Sequence, residues 1–153
     1  KSSGYNVRMT DVAASMGRVQ LSKLDSLNKI RREVVTKIVE IIDQREWLST
    51  ISVRNGDKSA HYGVPILIDG AAPFSRKEIC TYLESKGIET RALMMGCLPD
   101  QPAFRDLNHR ISGDLKFSRI LRDQAFFIGC HPALNDGHIT HLEESLESFY
   151  DQI

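Results

Sequence analysis

No apolar run in the chain approaches the ~20 residues that a membrane-spanning helix needs, and its first residues lack the charged-then-apolar layout of a secretory leader. Charge of one sign is also missing: 20 basic and 20 acidic side chains cancel to a formal net charge of +0. The whole chain therefore has no field to gather nucleic acid or an anionic membrane, and partners are expected at local sites. Cysteine is scarce. Cys80, Cys97 and Cys130 are odd in number, far apart and without a C-x-x-C pair. That spacing argues against a disulfide framework, a zinc site or an iron–sulfur cluster, and favours reduced, buried thiols in a cytoplasmic protein. There is no internal repeat and no low-complexity tract. What is present is ordinary globular material, 41% hydrophobic and 26% charged over 153 residues, enough for one domain with its own core.

Periodicity divides the chain into a long helix followed by short elements. From Thr10 to Arg45 the pattern is helical, with a break expected near Ser22. Leu24, Leu27, Ile30, Val34, Ile38 and Ile41 recur at steps of three and four and form one apolar stripe. Lys29, Arg31, Arg32, Glu33, Lys37 and Glu40 occupy the other faces and read as a solvated surface. Residues 47–60, with Arg54-Asn55-Gly56-Asp57, read as a turn-rich connection. His61 to Asp69 reads as a strand in which Pro65 points to an edge position or a bulge. Ser75 and Glu78 form a capping box ahead of a helix that Gly87 closes. Ile88–Leu93 reads as a second strand, Met94–Pro102 as a proline-restricted loop, Leu115–Asp123 as a helix and Ala125–Gly129 as a buried strand. A last amphipathic helix spans Asn135 to Tyr150, with Ile139, Leu142, Leu146 and Phe149 inward. The expected fold is α+β: residues 1–46 a loop and long connecting helix, residues 47–153 a small domain with a partly antiparallel sheet and helices on one face.

The first candidate site precedes the long helix. Gly4-Tyr5-Asn6-Val7-Arg8-Met9 leads into Thr10-Asp11, an N-cap with an acidic first turn, so a polar loop meets a helix N-terminus with exposed amides. Taken alone, Asn6 reads as an ordinary turn or capping asparagine, with an anion ligand as the alternative. Tyr5 can simply pack, and Arg8 can simply hold the loop. The string from Gly4 through Ala13-Ala14-Ser15-Met16-Gly17 to Asp25 resembles, in order and spacing, a segment of the DegT/DnrJ/StrS family of vitamin B6-dependent enzymes that act on nucleotide-linked sugars. The resemblance implies the C-terminal small domain of a fold-type I aminotransferase, and so the C-terminal portion of a longer enzyme. In the family the loop asparagine reaches the cofactor phosphate of the neighbouring subunit. Transferred to Asn6, with Tyr5 and Arg8 beside it, that role implies a homodimer with composite sites and pyridoxal or pyridoxamine 5′-phosphate as cofactor. The cofactor lysine, or the histidine that replaces it in the dehydratase branch, belongs upstream of the loop, so no catalytic residue is expected within this chain.

Two further motifs carry candidate substrate contacts. Gly87-Ile88-Glu89-Thr90-Arg91 delivers a guanidinium to a strand end. Arg91 there suits a carboxylate, phosphate or sugar oxygen as well as it suits a structural salt bridge. The segment resembles the family's Gly-Ile-x-Thr-Arg element and, with Gln101-Pro102, the loop that approaches the sugar. Where dehydratases often read Ala-Gly-Asn, this chain has Met95-Gly96-Cys97, so a strong hydrogen-bonding group is lost among the implied substrate contacts Gly96 and Cys97. Phe126-Phe127-Ile128-Gly129-Cys130-His131-Pro132 matches the family's strand and Gly-x-His-Pro. Taken alone, His131 reads as a residue that only fixes the loop geometry, with a bond to substrate as the alternative. His138 and His141 lie three apart on the last helix with no evident third metal ligand, which favours a solvated face.

The wording around Arg91, the Ile111-Ser112-Gly113-Asp114-Leu115 run and the His131 loop resemble most the branch that removes the 3-hydroxyl of a nucleotide-linked 4-keto-6-deoxyhexose, as in lipopolysaccharide O-antigen sugars. The alternatives are a nucleotide-sugar aminotransferase using an upstream lysine and, in another class, a non-catalytic dimerisation or binding module.

Overall fold

The computed structural model describes residues 8–94 and 96–153. Helix α1 covers Asp11–Asp43, and the Thr10 side chain caps it by accepting the Ala13 N–H. The break expected near Ser22 does not occur. The helix is continuous because the Ser22 hydroxyl donates to the Val19 carbonyl at 2.8 Å, so its polar group is satisfied inside the helix. Only the second half of the stripe is covered: Val34, Ile38 and Ile41 are buried, whereas Leu24 is 46% and Ile30 39% exposed.

After α1 come β1 (Leu48–Thr50), β2 (Gly63–Ile68), α2 (Arg76–Ser85), β3 (Thr90–Ala92), a 3₁₀ turn (Leu98–Asp100), α3 (Lys116–Gln124), β4 (Ala125–Gly129) and α4 (Asp136–Tyr150). The strands form one sheet in the order β1-β2-β4-β3, antiparallel at every pairing. Two expectations are corrected here. The 47–60 connection contains β1, a three-residue strand too short for periodicity to show, whose Thr50 N–H and hydroxyl both bond to the Asp43 carboxylate at 3.1 and 2.9 Å. Pro65 lies in an interior strand, opposite Phe127 of β4. The sheet tolerates it because β1 stops at the Thr50–Ile66 pair, leaving no strand beside Pro65 on that side for a missing N–H to serve.

Alternation along the strands sets the core. Val64, Ile66 and Ile68 of β2 and Phe126 and Ile128 of β4 meet Val35, Ile38 and Ile42 of α1, Ile79 and Leu83 of α2, and Leu142, Leu146 and Phe149 of α4 in one cluster. Three helices thus cover one face of the sheet, as the apolar patterns of α2 and α4 imply. The α2 capping box is present, and Gly87 at φ +81° ends the helix while the Ile88 N–H reaches back to the Leu83 carbonyl at 2.9 Å. Helix α3 buries none of its residues. No helix among the described residues is long and apolar enough to cross a membrane.

Candidate functional site

The candidate site residues fall at the two ends of the β3–β4 pair. Thr90 stands opposite Ile128 and Ala92 opposite Phe126, so β3 begins near the Gly129 end of β4 and leaves near its Ala125 end. Tyr5 and Asn6 lie outside the described residues; Arg8 is described, exposed, and two residues ahead of the α1 N-cap.

At the Gly129 end a cleft of about 500 Å³ is lined by both Arg91 and His131. Arg91 is paired: its Nε donates to Glu89 Oε1 at 2.7 Å and its Nη2 lies 2.5 Å from the same oxygen. This is the structural salt bridge open to an arginine here, made with the residue just ahead of β3. His131 Nδ1 accepts the Ala133 N–H at 3.1 Å, which ties the ring to its own turn and leaves the proton of the neutral ring on Nε2. His138 behaves similarly. Its Nδ1 accepts the Asn135 N–H at 3.2 Å while Asn135 caps α4, a capping box built with histidine in the place of glutamate. His141 Nε2 lies 2.8 Å from the Lys86 carbonyl. Both helix histidines are thus engaged with backbone, and among the described residues no His, Cys, Asp and Glu group is arranged to hold a metal.

His61 also lines this cleft, and sequence reasoning missed it by treating it as the first residue of a strand. Burial, with the charge of Arg32, pushes its imidazole below the usual histidine value. Arg31 supports the same corner by donating to the Ala60 carbonyl at 3.2 Å.

Gly96 and Cys97 line no part of that cleft. They sit at the Ala125 end, where the loop leaving β3 is seated on α3. Gly96 adopts φ +59°, and a Cβ there would lie 2.7 Å from Arg122 Cβ, so the close approach needs glycine. Cys97 is 1% exposed. At this position the side chain is enclosed beneath the loop rather than presented to an open site. Asp100, in the 3₁₀ turn, accepts from Arg119 Nε at 2.9 Å and Nη2 at 3.2 Å, a bidentate fork, and from Arg122 Nη1 at 2.6 Å. Arg122 is in turn oriented by Asp123, with Nε and Nη2 each 2.7 Å from its two oxygens. Hydrogen bonding from Arg119, aided by the Cys97 thiol and both guanidinium charges, outweighs desolvation and holds the Asp100 carboxyl at about 2 instead of 3.8. This four-residue ion cluster was not foreseen. Its sequence signal was the Arg119/Arg122 spacing of three on a helix, but nothing local marks Asp100 as the partner.

The Thr-Arg strand with its Gln-Pro loop and the Gly-x-His-Pro turn after β4 are therefore held on one α+β frame, with Arg91 and His131 in a shared cleft. The model of the DegT/DnrJ/EryC1/StrS aminotransferase family matches residues 1–147. The chain belongs to that family. Among relatives of this DegT/DnrJ/EryC1/StrS chain is a dTDP-4-dehydro-2,6-dideoxy-D-glucose 3-dehydratase of Saccharopolyspora spinosa, 31% identical over 146 residues, which is 95% of this chain and 32% of that protein. A UDP-4-amino-4,6-dideoxy-N-acetyl-beta-L-altrosamine transaminase of Campylobacter jejuni is 32% identical over 85 residues, 56% of this chain and 23% of that protein. The solved E. coli GDP-4-keto-6-deoxy-D-mannose-3-dehydratase with bound hydrated PLP superposes with a TM-score of 0.83 at 24% identity, covering 94% of this chain and 36% of that one. At that identity the superposition speaks for the fold, which is the aminotransferase fold-type I small-domain arrangement. The chain spans about a third of the length of these relatives.

Proposed function

We propose that the chain is the C-terminal portion of a pyridoxamine 5′-phosphate-dependent dehydratase that removes the 3-hydroxyl of a nucleotide-linked 4-keto-6-deoxyhexose. The observation that carries this reading is the Gly87-Ile88-Glu89-Thr90-Arg91 strand followed by the Gln101-Pro102 loop seated on α3, in a chain whose 31% identical relative is named a sugar 3-dehydratase. In this reading β3 and the loop after it form one wall of the nucleotide-sugar site. Gly96 and Cys97 contribute by shaping the loop, and Arg91 contributes its guanidinium once Glu89 shares it with a substrate oxygen. His131 supports from the other end of β4 through the turn it fixes.

The described residues do not themselves fit the cofactor ring. The cleft at the Gly129 end has no lysine among its lining residues, and its carboxylate, Glu89, is bonded to Arg91. The cofactor is therefore assigned to the rest of the longer protein, with Asn6, Tyr5 and Arg8 reaching its phosphate in a partner subunit of a homodimer.

An aminotransferase is the second reading, favoured by the Campylobacter transaminase match. The two are separated on the full-length protein by adding pyridoxal phosphate, reducing with borohydride and mapping any modified residue by mass spectrometry. No covalent label, with glutamate-dependent loss of the sugar's 3-hydroxyl, is the expected result. A labelled lysine ahead of Gly4 would mean an aminotransferase, and failure to bind the cofactor in any form would overturn both.

A further inference from the structure

The loop between β3 and α3 is built from local turns. Gly96 N–H bonds to Leu93 O at 3.3 Å, Asp100 N–H to Cys97 O at 3.1 Å, Gln101 N–H to Leu98 O at 3.1 Å, and Phe104 and Arg105 N–H both to Gln101 O at 3.0 Å. Bonds of this kind shape a loop without saying where it sits. Its place relative to the sheet is set by contacts of longer range, and three guanidinium bonds from α3 converge on the Asp100 carboxylate, across 19 and 22 residues of chain. Asp100 is next in sequence to the Gln101-Pro102 pair. Arg119 anchors the same region a second time by donating from Nη1 to the Asp114 carbonyl at 2.8 Å, so both flanks of the 100–114 stretch are pinned to one side chain.

We infer that Asp100 is a positioning residue for the nucleotide-sugar site: by gathering Arg119 and Arg122 it fixes the Gln101-Pro102 loop against α3 and so sets substrate affinity. This rests on the dehydratase or aminotransferase reading given above, in which that loop forms a substrate wall. The charges support a positioning role over direct substrate contact. Arg119 and Arg122 carry two positive charges that Asp100 and Asp123 balance, so neither arginine is left as an uncommitted anion ligand. Asn in place of Asp100 keeps the shape but loses the charge-assisted bonds. Glu restores the charge at the end of one more methylene.

The test uses the full-length, cofactor-loaded protein, with Asp100→Asn, Asp100→Glu and, as a variant that keeps every charge, Arg119→Lys. Steady-state kinetics with the nucleotide-sugar and amide hydrogen exchange over residues 96–107 are read together. Asp100→Asn is expected to raise KM about tenfold, the equivalent of one charge-assisted hydrogen bond, with a smaller change in kcat. Exchange in 96–107 should accelerate while that of β4 stays unchanged, and Asp100→Glu should recover part of both. Arg119→Lys, which loses the fork, should move in the same direction by less. An unchanged KM, or a fall in kcat at constant KM, overturns the inference. If the parent protein turns over no nucleotide-sugar, the functional reading fails by itself. Exchange then still decides the loop, and unaltered protection in Asp100→Asn overturns the positioning role independently.

Discussion

Gly96 and Arg122 are packed so that a Cβ on the glycine would stand 2.7 Å from the arginine's Cβ and 2.8 Å from its Cγ. Gly96→Ala therefore adds a steric contact to the cost of holding a non-glycine residue at φ +59°. A loss of about 1–3 kcal/mol is expected, seen as a lowered Tm. Gly56→Ala is the comparison, since Gly56 has φ +92° but nothing within 4 Å of a Cβ. Equal Tm shifts in the two variants would show that the contact with Arg122 plays no part.

Asp100 also makes an acid-side prediction. Its folded-state pKa, about 2, lies below the ordinary 3.8, so the carboxylate's contribution is fully present above about pH 4 and is lost as pH falls towards 2. Acid unfolding curves of the parent and Asp100→Asn should differ at pH 5 and converge in that window. A difference that persists below it would assign the effect to something other than this carboxylate. The Lys37–Asp136 pair, exposed on α1 and α4, titrates in the same sense because Lys37 lowers the Asp136 pKa, and it serves as a surface comparison.

Phe126 is 1% exposed at the centre of the sheet, whereas Phe117 on α3 is 78% exposed. Truncating the first leaves a cavity in the core cluster between the sheet and its helices, and Phe126→Ala is expected to cost about 3–5 kcal/mol in chemical denaturation. Phe117→Ala should stay within about 0.5 kcal/mol. Comparable losses would mean that the exposed ring is covered in the protein as it works, which hydrogen exchange on α3 would then locate.

The Tyr150 hydroxyl donates to the Glu46 carbonyl, and its ring stacks on Trp47 at 6.3 Å and 14°. Burial pushes the phenol up to about 12 from 10, so its contribution is fully present below pH 10 and is lost as pH rises through 12. One tyrosine should ionise late in a phenolate absorbance titration and be missing from that step in Tyr150→Phe. The substitution leaves the Glu46 carbonyl without this donor and is expected to cost about 1 kcal/mol.

Much of this was legible in the residues. Ser75 and Glu78 announced the start of α2 and Gly87 its end. The steps through Leu142, Leu146 and Phe149 announced the inner face of α4, and Ala125–Gly129 the buried strand. These signals are local: a cap, a turn or a helical face is decided by groups within about four residues of each other, so the chain specifies them before it folds. The family motifs were legible for the same reason, being runs of fixed spacing. Thr10 likewise capped α1 as expected, yet the expected break at Ser22 did not form, because the serine hydroxyl found a carbonyl one turn back.

What only the tertiary structure decided were relations across long stretches of chain. Pro65 reads as an edge residue until the short length of β1 shows that an interior strand can carry it. Cys97 reads as a substrate-facing replacement for asparagine until packing encloses it. Arg91 and His131, 40 residues apart, share a cleft through the β3–β4 register, while Gly96, five residues from Arg91, is carried to the opposite end. Asp100 meets Arg119 and Arg122 because the loop folds back over α3. Residue type limits what each of these side chains can do. Which partner it meets depends on loop closure and strand register, and those are settled only when the apolar faces of α1, α2 and α4 close over the sheet.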